Sequence, residues 1–162
     1  MKIQLKNVKY AAFASEETAC FEASIWVDGK KAGSVRNDGH GGCNWIEPML
    51  LHDKIDAFAK TLPPMRLKLA GKVHEMAHDA DSYVSTLLED YLQEKELRKL
   101  LNAHLVGRRK DGAIIKTRKL TAAQLAHYVK AKTSLGQPEE GVVVLNYLPF
   151  DAALHLFKGE AA

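Results

Sequence analysis

Residues 73–105 have the sequence VHEMAHDADSYVSTLLEDYLQEKELRKLLNAHL, the one long helical pattern in the chain. Apolar residues recur at helical spacing in two stripes, one beginning at Val84 and one at Leu97, on either side of the charged residues 94–96. Leu97 follows Val84 by thirteen residues, and at about 100° per residue the second stripe lies on a different face. We therefore expect a kinked helix, or two helices that meet near Gln93, with each half buried against a different partner.

Residues 1–70, which precede this pattern, are rich in strand signals. Apolar and polar residues alternate loosely over residues 3–13 and more regularly over residues 21–27. The pair Asp28-Gly29 predicts a hairpin turn, because both residues tolerate positive φ. We expect a small N-terminal antiparallel sheet, followed later by a short strand over residues 65–69.

A glycine-rich loop, NDGHGGCN at residues 37–44, leads out of this sheet. Asn44 and Glu47 have capping-box spacing and Pro48 would lie near a first helical turn, so a helix is predicted to begin at or shortly after Asn44. Pro63-Pro64 would end it. The predicted apolar stripe of this helix consists of Leu51, Ile55, Phe58, Ala59 and Leu62.

The same loop is a candidate ligand site. Glycines let a backbone approach a ligand closely, and amides at a helix start favour anions. The candidate residues are Asp38, Gly39, His40, Gly41, Gly42 and Cys43. His40, Cys43 and His52 are also a candidate metal cluster, and Cys43 beside His40 a candidate nucleophile, although neither set has an evident further member. The structural alternative is a tight connection that needs positive φ.

The stretch His74-Glu75-Met76-Ala77-His78 resembles the zincin metallopeptidase signature HExxH. The resemblance implies that His74 and His78 bind zinc from one helix and that Glu75 is the general base. Candidate third ligands are Glu89, Asp90, Glu94 and Glu96, which belong to the same helical region and would not return to the metal. The alternative is a polar first helical turn whose carboxylates complement the helix dipole.

A second hairpin is predicted around Asp111-Gly112. A two-residue turn there would place Arg109 opposite Ile114 and Arg108 opposite Ile115. The hairpin concentrates basic residues against a single acidic one, and they are Arg108, Arg109, Lys110, Lys116, Arg118 and Lys119. Such a ribbon can contact phosphates or the carboxylates of a protein, and without an aromatic residue it would bind nucleic acid with weak specificity. Alternatively, the charges protect a solvated sheet edge.

The remaining signals complete the fold class. Thr121 and Gln124 form a capping box, which predicts a helix that ends before Gly136. Residues 137–140 are a predicted loop, residues 142–145 a buried strand, and Pro149 opens a last short helix to Phe157. The chain is therefore predicted to be one α+β domain over residues 1–162, with a subdivision into residues 1–70 and 71–162 as an alternative.

Composition limits the class of protein. The chain is 46% hydrophobic and 27% charged, which is ordinary for a soluble globular protein, and its net charge of +3 does not by itself indicate a nucleic-acid binder. Two cysteines suit a reducing cytoplasm and are too few for a disulfide framework. The N-terminus lacks the apolar run of an export signal, and no segment reaches the ~20 apolar residues that span a bilayer. We expect a cytoplasmic location, no membrane partner, and no cofactor unless HEMAH binds zinc.

Two longer segments resemble small accessory proteins of bacteriophages and mobile elements: VKYAAFASEETACFEASIWVDGKKAGSVRNDGHGG at residues 8–42 and VVVLNYLPFDAALHLF at residues 142–157. This resemblance implies a cytoplasmic protein that binds a host system and implies no reaction. The first hypothesis is thus a non-enzymatic interaction protein, for instance an anti-CRISPR-like inhibitor of a host defence protein or nucleoprotein complex. The alternatives are a zinc-dependent hydrolase that uses HEMAH and a backbone-directed nucleic-acid-binding protein.

Overall fold

The computed structural model describes residues 1–69, 71–131 and 141–159. It combines helices with antiparallel sheets, so the predicted α+β class is confirmed. The chain divides into two compact units, residues 1–90 (unit 1) and residues 91–162 (unit 2). Their boundary lies inside the central helix, whereas the strand-rich composition of residues 1–70 suggests a division after residue 70.

Unit 1 contains two antiparallel sheets, one complete helix and the first half of the central helix. The elements are β1 (Ile3–Tyr10), β2 (Phe21–Val27), β3 (Lys30–Asn37), β4 (Trp45–Glu47), α1 (Met49–Ala59), β5 (Met65–Leu69), β6 (Lys72–Met76) and α2 (Ala80–Leu101). Strands β1 to β4 form one sheet in that order, and β5 pairs with β6. The predicted strand over residues 65–69 is confirmed.

One face of the four-stranded sheet is buried. Its buried residues alternate along the strands, as expected when one face covers a core, and they are Ile3, Leu5, Phe21, Ala23, Ile25, Val35 and Ile46. The turn between β2 and β3 has φ of +47° at Asp28 and +81° at Gly29. Positive φ at both central residues matches the right-handed twist of the flanking strands, so the predicted hairpin is confirmed.

Helix α1 buries Leu51, Ile55 and Ala59 at helical spacing, which confirms the predicted apolar stripe. The predicted start is wrong, because β4 comes first and the helix begins at Met49 with Pro48 as its N-cap residue. Asn44 and Glu47 therefore do not form a capping box, although their spacing would allow one. β4 instead pairs with β3 through Ile46 opposite Val35, and this long-range pairing outweighs the local helix signal.

Helix α2 is one uninterrupted helix of 22 residues, so the break expected near Gln93 is wrong. Val84 and Leu88 are buried in unit 1, and Leu97 is buried in unit 2. Leu97 is nine residues beyond Leu88, which corresponds to about 180° around the cylinder. The predicted burial of the two stripes in different cores is thus confirmed, and one continuous helix contributes to both.

In the part of the chain that the structure describes, unit 2 contains the second half of α2, one three-stranded sheet and two further α-helices. Its elements are β7 (Val106–Arg108), β8 (Ile114–Lys116), α3 (Ala122–Ala131), β9 (Val143–Val144) and α4 (Phe150–Lys158). The sheet order is β8-β7-β9, and all pairings are antiparallel. Its core consists of Leu97, Val106, Leu145 and Ala153, surrounded by partly buried leucines and phenylalanines of α2, of α4 and of the segment just before α4.

Two helix starts in unit 2 follow the sequence signals. The amide of Thr121 donates to Gln124 Oε1 (2.9 Å) and the amide of Gln124 donates to Thr121 Oγ1 (3.3 Å), which is the predicted capping box. Pro149 is the N-cap residue of α4, as expected. The predicted helix end before Gly136 and the predicted loop at 137–140 lie outside the described residues. Among the described helices, none is both long enough and apolar enough to cross a bilayer.

Candidate functional site

The HEMAH motif lies on a hairpin strand and in the segment that follows it. Its first three residues belong to β6, where His74 pairs with Leu67 and Glu75 pairs with Arg66. Adjacent strand residues project to opposite faces, so His74 and Glu75 diverge. The zincin resemblance requires both histidines to lie on one helix. Both of them precede α2, so this prediction is wrong. The alternative, a polar first helical turn, is wrong for residues 74–78, whereas α2 begins at Ala80 and carries Asp81 in its first turn.

The side chains of this motif have partners or positions that do not suit a zincin site. Glu75 Oε1 accepts a hydrogen bond from Arg66 Nε at 3.1 Å, and His74 is exposed. The candidate third ligands, Glu89, Asp90, Glu94 and Glu96, follow on α2. Within the described ranges, no group of three or more histidine, cysteine, aspartate and glutamate side chains is arranged to hold a metal ion. The residues present therefore do not fit the zinc arrangement.

The glycine-rich loop at residues 37–44 is held against the preceding connection between β1 and β2. The Gly39 carbonyl accepts the amides of Glu16, Glu17 and Thr18 at 3.0 to 3.3 Å. Asn37 Oδ1 accepts the Gly39 amide at 2.9 Å and the Thr18 hydroxyl at 2.8 Å. The loop leads into β4 and not into a helix, so the expected anion site at a helix start is wrong.

The reactive side chains of this loop are distributed over its exposed surface. His40 Nδ1 lies 3.3 Å from Glu16 Oε2, whereas His52 lies outside the loop, on α1, with its Nδ1 atom 3.3 Å from Asp53 Oδ1. Cys43 and Asp38 are exposed. Each histidine thus has its own carboxylate neighbour.

Asn44, predicted to be a helix cap, is a buried polar residue that joins this loop to α2. Its amide donates to Asp81 Oδ1, and its Nδ2 donates to the Asp81 carbonyl (3.2 Å) and to Ser85 Oγ (3.0 Å). Buried amides need such partners. The end of the glycine loop is therefore fixed to the first turns of the central helix.

The first turn of α2 carries a reciprocal cap. The Ser82 amide donates to Asp79 Oδ1 at 2.8 Å, and the Asp79 amide donates to Ser82 Oγ at 3.0 Å. Hydrogen bonds from the Ser82 hydroxyl and then the Ser82 amide lower the pKa of Asp79 below its usual value, against the opposing effect of burial. This shift has a structural cause, the cap, and does not indicate a catalytic acid.

This cap predicts a pH-dependent contribution to stability. Asp79→Ala is expected to lower the free energy of unfolding by about 1 kcal/mol at pH 7. Because the folded-state pKa is depressed, the contribution is present above the unfolded value of about 3.9 and is lost as the pH decreases through the folded value. Urea denaturation at pH 7, 5 and 3 measures it, with Asp79→Asn as the control that keeps a cap but does not titrate. A difference that is the same at all three pH values would contradict the assignment.

The basic hairpin of unit 2 has a register that differs by one residue from the expected one. Arg108 pairs with Ile114 and Gly107 with Ile115, so the predicted two-residue turn is wrong. The Arg109 amide donates to the Ala113 carbonyl at 2.9 Å, the Gly112 amide donates to the Arg109 carbonyl at 3.0 Å, and Gly112 has φ of +90°. These contacts define a three-residue loop with glycine at its positive-φ position.

The six basic candidates do not share one environment. Arg108 is half-buried, its Nε atom has no hydrogen-bond partner among the described residues, and its guanidinium approaches the position of Gly159 at the end of α4. The Lys110 stem lies against Gly141. Five of the six are exposed, namely Arg109, Lys110, Lys116, Arg118 and Lys119. Arg108 therefore packs within unit 2, near a helix C-terminus where a cation is favourable. The other five residues form the exposed basic surface.

Sequence reasoning missed a second surface, the uncovered face of the four-stranded sheet in unit 1. Trp26 and Trp45, the two tryptophans of the chain, both lie on this face. Lys6 Nζ lies 4.0 Å from the Trp26 ring centroid, and Arg36 Cζ lies 5.7 Å from that of Trp45. The available signal was Trp26 itself, an aromatic residue in the polar phase of an alternating strand.

The geometry thus offers two exposed surfaces that carry cations, one on each unit. The basic surface of unit 2 lacks aromatic residues at the hairpin, whereas the open sheet face of unit 1 combines cations with indole rings. Comparison of the chain with protein-family models, with curated proteins and with solved structures found no match.

Proposed function

We propose that this chain is a non-enzymatic interaction protein of a bacteriophage or mobile element that acts in the bacterial cytoplasm by binding a host protein or nucleoprotein complex. A defence complex is the proposed target. The resemblance of residues 8–42 and 142–157 to phage accessory proteins supports the source and the target class. The exposed basic surface of unit 2 supports the mode of action.

The observation that carries the proposal is the exposure of Arg109, Lys110, Lys116, Arg118 and Lys119 on and beside a single hairpin. The hairpin has one acidic residue, Asp111. Such a surface attracts phosphates or the carboxylates of a protein, and it speeds association with an oppositely charged partner. The competing explanation is that the cations prevent edge-to-edge association of β8, which is an outer strand of its sheet in the described structure.

A triple charge reversal tests binding against edge protection. We expect Lys116→Glu, Arg118→Glu and Lys119→Glu together to abolish inhibition of the host target while the thermal midpoint changes by no more than about 3 °C. Arg108 is left intact because it is half-buried, Lys110 because its stem lies against Gly141, and Arg109 because it takes part in a further interaction. Phage plaquing efficiency on bacteria that carry defined defence systems, with and without the expressed chain, measures the effect.

The matched control reverses three exposed lysines elsewhere, Lys54, Lys72 and Lys95, so that the net charge change is the same. This control is expected to keep full activity. Full activity of the Lys116/Arg118/Lys119 variant, shown by circular dichroism to be folded, would refute the binding role of the hairpin. Failure of the parent chain to inhibit any defence system would refute the anti-defence proposal.

Backbone-directed binding of nucleic acid is a second candidate, which the same exposed cations favour. Its signature is salt dependence, since each phosphate contact releases condensed counterions. For double-stranded DNA, the triple reversal should reduce the slope of log K against log salt by about 3. An acidic protein partner would instead show a slower association rate with a weaker dependence on salt.

A further inference from the structure

The open face of the four-stranded sheet in unit 1 is an ordered array of side chains. Residues that pair directly across an antiparallel sheet project to the same side. The register places three rows on this face, which are Lys9, Glu22, Arg36 and Trp45; Lys6, Ser24, Ser34 and Glu47; and Gln4, Trp26 and Lys31. The opposite face carries the buried core of unit 1.

Trp45 is the accessible aromatic ring of this array. It is 60% exposed, and its Nε1 donates to Glu47 Oε1 at 2.9 Å, which holds the indole in place at little entropic cost on binding. Arg36, the neighbour of Trp45 in the same row, is also exposed. An exposed, oriented indole beside a guanidinium offers both a stacking surface and a phosphate contact.

A groove of about 350 Å³ runs over this face, and a second groove of about 440 Å³ adjoins it at the strand ends near Tyr10 and Asn37; both include Lys9, Glu22 and Arg36 in their linings. Lys9 and Arg36 are separated by one strand, which corresponds to roughly 10 Å. The first groove also includes Trp45 and the hydroxyl-bearing residues Ser24 and Ser34. A polymer in which anionic groups alternate with aromatic rings can therefore lie across β2 and β3. Its anions would contact Lys9 and Arg36, and one of its rings would stack on Trp45.

The charges of the face favour an anionic occupant. This face carries four cations, Lys6, Lys9, Lys31 and Arg36, and two carboxylates, Glu22 and Glu47. The Lys9–Glu22 pair is long at 3.5 Å and solvent-exposed, so it is weak and a phosphate can displace it. Glu47 already accepts from the indole of Trp45.

We infer that the open face of the β1–β4 sheet binds single-stranded nucleic acid, with Trp45 stacked on a base and Arg36 and Lys9 on phosphates. A duplex does not fit this chemistry, because its bases are already stacked and paired. A sheet of this width presents room for about two or three bases. This inference concerns unit 1 and does not depend on the basic surface of unit 2.

Intrinsic fluorescence tests the inference, because both tryptophans of the chain lie on the proposed surface. The full chain carrying the Lys116/Arg118/Lys119 reversal is titrated with a 12-nucleotide oligo(dT) and with the same length of oligo(U) at low salt. The charge reversal removes the proposed binding by the hairpin. A negative result in this titration therefore concerns only the sheet face and leaves the proposed function to its own test. We expect saturable quenching by at least one of the two single strands and at least tenfold weaker binding of a 12-base-pair duplex.

Two substitutions locate the site. Trp45→Ala is expected to weaken single-strand binding by about tenfold or more through lost stacking, and Trp45→Phe to restore most of the affinity. The matched control is Phe13→Ala, which removes an aromatic ring that is 95% exposed but lies outside the sheet face. Binding of the Trp variants is followed by anisotropy of a labelled oligonucleotide.

Three results would overturn the inference. They are no saturable binding of either oligonucleotide, equal affinity of the Trp45→Ala and parent chains, and equal affinity for duplex and single strands. Loss of cellular activity by Trp45→Ala in a chain that binds no oligonucleotide would identify the face as a protein-binding surface instead, since exposed tryptophan and arginine also anchor protein interfaces.

Discussion

Replacing Gly39 with alanine is expected to lower the free energy of unfolding of unit 1 by about 3 kcal/mol or more. Two physical effects add here. Gly39 has φ of +89°, which an L-residue adopts only at a cost. A β-carbon at this position would also lie 2.0 Å from the Ala14 carbonyl oxygen and 2.8 Å from Cys20 Cβ, so the loop would have to separate from the segment that donates three amides to the Gly39 carbonyl.

Gly42→Ala is the matched control for this prediction. Gly42 has φ of +93°, but a β-carbon added there would meet no atom within 4 Å, so its substitution should cost about 1 kcal/mol from backbone conformation alone. Urea denaturation followed by tryptophan fluorescence measures both, since Trp26 and Trp45 report on unit 1. Equal costs at the two positions would show that the close approach to Ala14 does not contribute.

Asn146→Ala is expected to destabilise unit 2 by about 2 to 4 kcal/mol. Asn146 Nδ2 donates to the Leu101 carbonyl at 3.2 Å and to the His104 carbonyl at 2.9 Å, while Oδ1 accepts the Val106 amide at 2.7 Å. One side chain thus forms hydrogen bonds with backbone groups at the end of α2, in the connection after it and at the start of β7. Truncation would leave three partly buried backbone groups without these bonds.

Two further variants define what is lost at Asn146. Asn146→Asp keeps the acceptor for the Val106 amide but removes both donated bonds and places a carboxylate near two carbonyls, so it should be at least as destabilising. Asn102→Ala, at an exposed position just beyond α2, should change stability by less than about 0.5 kcal/mol. Urea denaturation followed by far-ultraviolet circular dichroism measures the series. An Asn146→Ala chain as stable as the Asn102→Ala chain would contradict the bridging role.

Elements with local signals could be predicted from the amino-acid sequence. The Asp28-Gly29 turn, the Thr121-to-Gln124 capping box and the helix after Pro149 each depend on residues within one turn of chain, and each is confirmed. The apolar stripes of α1 and α2 also follow from spacing alone, because the helical period dictates which residues share a face. For the same reason, the use of α2 by two cores was predictable from the phase change between Val84 and Leu97.

The candidate sites could not be predicted in this way, because each depends on partners far away in the chain. The first three residues of HEMAH form a strand since β5 supplies their hydrogen bonds, and a five-residue motif cannot specify its own partner. Asn44 caps no helix since β4 pairs with β3 and Asp81 and Ser85 take up its side chain. The sheet face with Trp26 and Trp45 forms only when β2, β3 and β4 align in register. Period and composition specify which residues face a core, whereas register and long-range hydrogen bonds specify which functional side chains meet.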